Sequence, residues 1–232
     1  MHSVSPASTF RRASALSPIH RPKTAAEEVE DRLILAIARG DKQPGERLTE
    51  AELSSAFAIS RVPAREAMQK LQLRGILVER GRRGLQVADY SPRRIAELIE
   101  LRFAIERIFF LQVMRPGQDR MPLIRDLEQK LDEMRAQSGV GDPVALSTVD
   151  LEFHRTIVTH SGNDLAAQIW EGLAQHMLIL FCRDWSQTED STGEVELHRE
   201  LMDFVRDGDV ADLDQALRHH FTTPGSRLAM KT

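Results

Sequence analysis

The chain has 232 residues, a net charge of −4, 41% hydrophobic residues and a single cysteine, Cys182. That length buries a sizeable core and leaves room for two modest domains, while an internal disulfide is excluded, which fits a reducing cytoplasm. The longest greasy stretch, residues 105–114, is broken by Glu106, Arg107 and Gln112, so no membrane span or membrane partner is expected.

In chain order, residues 1–22 are rich in Ser, Pro and Arg with no acidic residue, which predicts a disordered tail. A helical pattern over 24–39 stops at Gly40, and Pro44-Gly45 marks a turn. Thr49-Glu50-Ala51-Glu52 is a capping box opening a short helix through Leu53 and Phe57, and Ala58-Ile59 is a tight connection. Ser60 then caps a helix starting at Arg61, with Pro63 tolerated in its first turn. Ala67, Met68, Leu71 and Leu73 supply its apolar stripe, and Gly75 ends it. Arg61 and Arg65, four apart, share the opposite face. Two β-prone runs, 76–80 and 85–89, flank Gly81-Arg82-Arg83-Gly84, a hairpin with arginines at its tip. A capped helix with two arginines is often only a solvated surface. Three helices and a basic wing in this order instead predict a winged helix-turn-helix that reads DNA, over residues 23–90.

Ser91-Pro92 marks a boundary and a helix start. Residues 91–232 carry no convincing strand. Helical patterns run over 92–114, 118–137, 142–160, 163–185, 193–207 and 209–221, predicting an all-helical bundle of six, at most seven, helices. Charge divides the same way: residues 1–90 hold 15 Lys+Arg and 11 Asp+Glu, leaving 16 and 24 of the chain's 31 and 35 for the remainder. A mildly basic first third suits a partner rich in phosphate.

Polar residues at inward positions of the bundle form a second signal. Asp150 and His154 share a helix face with Ile157 and Val158, and His198 borders a stripe of Leu197, Leu201, Met202 and Val205. His220 lies over Leu213 and Leu217, whereas His219 is turned away. One carboxylate and three imidazoles facing one interior suit a divalent transition metal, zinc first, with nickel or manganese as alternatives. A lone histidine on an apolar face is more often a satisfied core residue, and His160 and His176 are read that way.

The chain resembles a known family. Pro44-Gly45-Glu46-Arg47-Leu48, Glu52-Leu53, Ser60-Arg61-Val62-Pro63-Ala64-Arg65-Glu66-Ala67, Leu71 and Gly75 look like the DNA-binding domain of GntR family bacterial transcription regulators. Val62 departs from the small polar residue often found there. Asp150-Leu151-Glu152-Phe153-His154, Gly162-Asn163, Glu196-Leu197-His198, Gly208-Asp209 and residues 216–220 resemble the FCD effector domain of the FadR subfamily, in its shorter VanR-like form. The resemblance implies metal ligation by Asp150, His154, His198 and His220, and a small organic acid as effector, bound near Arg102 and Asn163. It implies DNA contacts by Arg47, Ser60, Arg61, Val62, Pro63, Arg65, Arg82, Arg83 and Gly84. Arg102 is equally read as an intrahelical partner of Glu106. Pro224-Gly225 is expected to end the last helix early.

The function expected is a cytoplasmic, homodimeric repressor binding a pseudo-palindromic double-stranded operator and gated by the acid. Two rivals stand beside it. One is a metal-dependent enzyme, for which the sequence offers no HExxH, phosphate loop or nucleophile elbow. The other is a DNA-binding protein whose bundle is a metal-free dimerisation module.

Overall fold

The computed structural model describes residues 23–79, 81, 84–138, 141–185 and 192–230; the tail at 1–22 and the wing arginines Arg82 and Arg83 lie outside them. Helix α1, Ala25–Arg39, opens on a full capping box between Thr24 and Glu27 and closes on Gly40, whose φ of 82° is left-handed. Strand β1, Arg47–Leu48, leads into α2, Glu50–Ala56, where Thr49 accepts from the Glu52 N–H at 3.2 Å. The turn to α3, Arg61–Leu73, runs through Ala58 at φ 53°, the one non-glycine with positive φ among the described residues. Ser54 Oγ braces that turn by donating to the Ile59 carbonyl at 2.6 Å.

Two expectations about α3 need correction. Ser60 holds the N-cap position, yet its side chain makes no capping hydrogen bond. Leu73 is 88% exposed and does not belong to the buried stripe of Ala64, Ala67, Met68 and Leu71. Two residues past Leu71 turns the side chain by about 200°, away from the core.

Strands β2, Leu77–Glu79, and β3, Leu85–Val87, pair antiparallel as the expected wing, with Leu77 opposite Val87. The sheet has a third member that the sequence reading did not foresee: β1 pairs with β3, placing Arg47 opposite Gln86, in the order β1-β3-β2.

The bundle comprises the six expected helices, α4 Pro92–Val113, α5 Met121–Ser138, α6 Pro143–Ser161, α7 Asp164–Trp185, α8 Thr192–Asp207 and α9 Leu213–Met230, with a short 3-10 turn, Val210–Asp212, before the last. Ser91 and Asp142 occupy the N-caps of α4 and α6, each followed by proline, but only Asp142 makes the capping bond. The backbone of α9 stays helical through Pro224 and Gly225, against expectation. An internal proline removes one backbone hydrogen bond without obliging the chain to leave the helix.

Helix α4 packs on α6, α7 and α9; α5 packs on α6 and α8; and α1 of the N-terminal unit packs on both α3 and α7. One contiguous core therefore runs through both units. Residues 164–183 of α7 are long and apolar enough to cross a membrane by length and composition, which the sequence reading missed; here Trp170, Ala174, Met177, Leu180 and Phe181 are buried in the bundle.

Candidate functional site

The prospective reading face is an open groove of about 570 Å³ between α3 and the sheet, lined among others by Arg47, Arg61, Arg65, Gln69, Gln72 and Gly84. It gathers side chains from β1, α3 and the base of the wing. Val62 is exposed at the start of α3, as are Ser60 and Arg61, while Pro63 is partly buried in the first turn. Gly84, at φ 93°, lets the chain pass Arg47: a Cβ there would stand 3.3 Å from Arg47 Nε. Arg65 is not idle. Its guanidinium makes a two-pronged pair with Glu50 of α2, Nε at 2.7 Å and Nη2 at 2.9 Å, which fixes its direction across the groove.

The second site lies inside the bundle. Asp150 and His154 come from successive turns of α6, His198 from α8 and His220 from α9, and all four are buried. His154 Nε2 and His220 Nε2 are 3.1 Å apart, His198 Nε2 is 3.3 Å from Asp150 Oδ2, and His154 Nε2 is 3.9 Å from Asp150 Oδ1. His154, His198 and His220 offer donor atoms that lie within 4.8 Å of one another, and Glu194 joins Asp150 and His198 in a second such group.

Hydrogen bonding fixes which nitrogens face inward. His198 Nδ1 donates to the Glu194 carbonyl at 2.7 Å, leaving Nε2 toward Asp150. His154 Nδ1 faces Glu106 Oε2 at 2.7 Å, which turns its Nε2 into the cluster, 3.1 Å from His220 Nε2. Burial lowers the His154 and His220 pKa values and keeps these rings neutral. His198 is the exception: burial pulls its pKa down, but Asp150 outweighs burial and raises it.

Glu106 is the residue that sequence reasoning undervalued. It is fully buried on α4 and accepts from Arg102 Nε at 2.9 Å and Trp170 Nε1 at 2.9 Å, besides facing His154. Burial alone would raise its carboxyl pKa; Arg102 and His154 outweigh that and hold it well below the usual carboxylate range. Its signal was a charge interrupting the greasy run at 105–114, at an inward position of α4.

Arg102 makes the intrahelical pair that the sequence also allowed. It pairs with Glu106, and its Nη2 is still buried with no hydrogen-bond partner, while its Cζ lies 4.4 Å from the Phe221 ring centre and 5.2 Å from that of Phe181. Asn163 is not brought to the cluster: its Oδ1 accepts from the Ala166 N–H at 3.1 Å and caps α7. His160 is not a core residue but a half-buried partner of Asp126 at 2.7 Å. His176 is buried and satisfied, as expected, and His219 is exposed.

A winged helix joined to a helical bundle that encloses clustered imidazoles and an unsatisfied arginine defines a two-part DNA-binding regulator with an interior polar cluster. The comparisons with known proteins say which. The FCD domain model matches residues 97–223, and the model described as bacterial regulatory proteins, gntR family, matches residues 25–87. The chain belongs to the GntR family of DNA-binding transcription regulators and carries an FCD domain. It is 27% identical to the uncharacterized HTH-type transcriptional regulator YdhC of Bacillus subtilis over 80% of this chain and 82% of that one. It is 27% identical to the gluconate operon transcriptional repressor of the same organism, over 82% and 79%. Its fold matches that of E. coli McbR/YncC with a TM-score of 0.73 at 18% identity, over 90% and 99% of the two chains. The two Bacillus subtilis relatives are named as regulators of transcription, not as enzymes.

Proposed function

We propose that this protein is a cytoplasmic, homodimeric repressor of the FadR subfamily whose operator binding is gated by a small organic acid held at a divalent transition metal. Residues 23–90 form the reading domain and residues 91–232 the sensing domain. The observation that carries the reading is the convergence of His154, His198, His220 and Asp150 beneath the unsatisfied Nη2 of Arg102.

The donor set fits a metal. Zinc–nitrogen bonds of about 2.0–2.1 Å in a tetrahedron put neighbouring ligand atoms about 3.3 Å apart, and the separations here are 3.1, 3.3 and 3.9 Å. Asp150 Oδ1 is buried without a hydrogen-bond partner, which costs free energy unless a cation meets it. Zinc is the first choice for three nitrogens and one oxygen, with nickel or manganese as alternatives. Asp150, His154, His198 and His220 would hold the ion, whose chemistry is that of a Lewis acid accepting a carboxylate oxygen of the effector. Glu106 keeps His154 in the tautomer that presents Nε2. Ligation needs each inward Nε2 free of its proton, so metal uptake is coupled to proton release. Arg102 Nη2 supplies the second half of carboxylate recognition. The name of the gluconate operon relative points to a sugar acid as the class to try first.

At the other end, Arg61 and Arg65 reach bases or phosphates of the major groove, with Arg47, Ser60, Val62, Pro63 and Gly84 beside them and Arg82 and Arg83 on the wing. A second copy is supported by an apolar face on α4 and α7 where Leu101, Ile108 and Ile169 are exposed side by side. The test couples elemental analysis of the purified protein to mobility shifts on its own upstream DNA, with and without chelator and sugar acids. Metal near one per chain with acid-sensitive binding is the expected result. A metal-free protein that binds DNA regardless leaves a metal-free dimerisation bundle in place of a sensor.

A further inference from the structure

His176 sits on α7 in the bundle, yet both of its ring nitrogens serve the junction with the reading head. Nε2 lies 2.8 Å from the carbonyl of Arg74, the residue that ends the recognition helix α3, and Nδ1 lies 3.0 Å from the hydroxyl of Tyr90. A carbonyl only accepts, so Nε2 carries the proton and Tyr90 must donate to Nδ1. Burial lowers the His176 pKa and raises that of Tyr90, which keeps both groups in these states. The Arg74 side chain returns to the same helix, donating to Gln175 at 2.9 Å and pairing with Glu30 of α1, and Arg94 of α4 donates to the next carbonyl, Gly75, at 2.7 Å. The C-terminal end of α3 leaves its last carbonyls without helical partners. Those of Lys70, Leu71 and Gln72 are taken by backbone N–H groups of the following turn, and the Arg74 and Gly75 carbonyls just beyond the helix are taken by side chains of the bundle.

The same helix also reaches the histidine cluster. Trp170 of α7 donates to Glu106, the carboxylate that faces His154, and Phe181 of α7 packs near Arg102. Six residues separate Trp170 from His176, which is about 9 Å along the axis and about 240° around it. One face of α7 therefore touches the polar residues around the histidine cluster while another grips the recognition helix.

We propose that His176 is the positioning residue that couples the histidine cluster to the reading head, with α7 as the rigid link between Glu106 and the end of α3. This rests on the metal reading above. When Asp150, His154, His198 and His220 are drawn onto an ion, Glu106 is fixed through His154, Trp170 follows Glu106, and His176 passes the restraint to Arg74 and Gly75. An effect on DNA binding needs such a difference in restraint between the two states.

The test is amide hydrogen exchange on the full chain, with zinc or with chelator, in wild type, His176→Leu, His176→Gln and Tyr90→Phe. In wild type, zinc slows exchange in α6 and α8 and also at the end of α3. His176→Leu loses the slowing at α3 while keeping it in α6 and α8. His176→Gln restores it, because a glutamine amide can donate to the Arg74 carbonyl, and Tyr90→Phe, which keeps the ring, weakens it. A merely structural histidine would lower stability equally with and without zinc and leave the zinc effect at α3 intact, which overturns the proposal. Zinc that slows α6 and α8 but never α3 in wild type overturns it too, while sparing the metal reading. A chain that takes up no zinc by elemental analysis overturns the metal reading and this one with it.

Discussion

Replacing Glu106 by leucine tests how the interior polar cluster is held. The carboxylate is buried and accepts from Arg102 and Trp170 while facing His154. Opposite charges about 4 Å apart in an effective dielectric of about 20 interact by about 4 kcal/mol, and breaking a buried pair by removing one partner costs about 3–5 kcal/mol. Arg102 retains some compensation over the rings of Phe221 and Phe181, which favours the lower end of that range. Glu106→Leu leaves three orphaned donors; adding Arg102→Met removes the charged one and should return about 2 kcal/mol of the loss. Urea unfolding of the metal-free protein, followed by fluorescence of the buried Trp170, measures both. The double variant should be more stable than Glu106→Leu alone. If it is equally or less stable, the pair is not held by charge compensation and the account of Arg102 is wrong.

Other expectations are simpler. The double variant His198→Ala with His220→Ala should keep its helical circular dichroism but bind no metal; stoichiometric metal by elemental analysis would remove these ligands from the site. Arg65→Ala should weaken operator binding by about 1–3 kcal/mol if it reaches a base edge, read as a rise in Kd in a mobility shift; an unchanged Kd leaves Arg65 as a partner of Glu50 only. Ala58→Gly should stabilise the chain by about 0.5–1 kcal/mol, since the left-handed conformation costs an alanine about 1–2 kcal/mol and glycine gives back only part in entropy; a lower urea midpoint would contradict it. Burial lowers the folded pKa values of His154, His176 and His220 from 6.5. The unfolded chain therefore takes up more protons, and stability is lost as pH falls below 6.5, by up to about 1.4 kcal/mol per unit for each ring. His198, raised by Asp150, opposes this with one group against three. A urea midpoint for metal-free protein that rises on acidification would reverse the sign.

Much of the architecture was legible because it is written in local rules. Thr24 with Glu27, Thr49 before α2, Gly40, Gly75 and Gly162 mark helix ends through backbone chemistry that depends only on neighbours. The inward faces of Asp150, His154, His198 and His220 follow from helical period alone. What escaped depends on partners distant in sequence. β1 is two residues long, and only its pairing with β3 makes it a strand. Leu73 reads as core from its type, but its angle around α3 puts it in solvent. Glu106 reads as an interruption until Trp170, 64 residues on, is seen to donate to it. His176 reads as a satisfied core histidine, which it is, but what satisfies it is the end of another unit's helix, 102 residues away.

That distinction bears on how much control the fold can exert. A tenfold change in operator affinity needs a difference of about 1.4 kcal/mol between the two states of the protein. A single hydrogen bond contributes about 0.5–1.5 kcal/mol net. The carbonyls of Arg74 and Gly75, the Arg74 guanidinium and the Tyr90 hydroxyl make four such bonds across the junction, to His176, Arg94 and Gln175. Losing or straining two of them in one state is enough for tenfold regulation, without any large rotation of the reading head. The Tyr90–His176 bond is buried, the bonds to the Arg74 and Gly75 carbonyls are partly buried and the Arg74–Gln175 bond is exposed, so water replaces an unmade bond least freely at Tyr90 and His176. A small displacement of α7 at Trp170 is then converted into a discrete choice at the end of α3, between bonds kept and bonds broken.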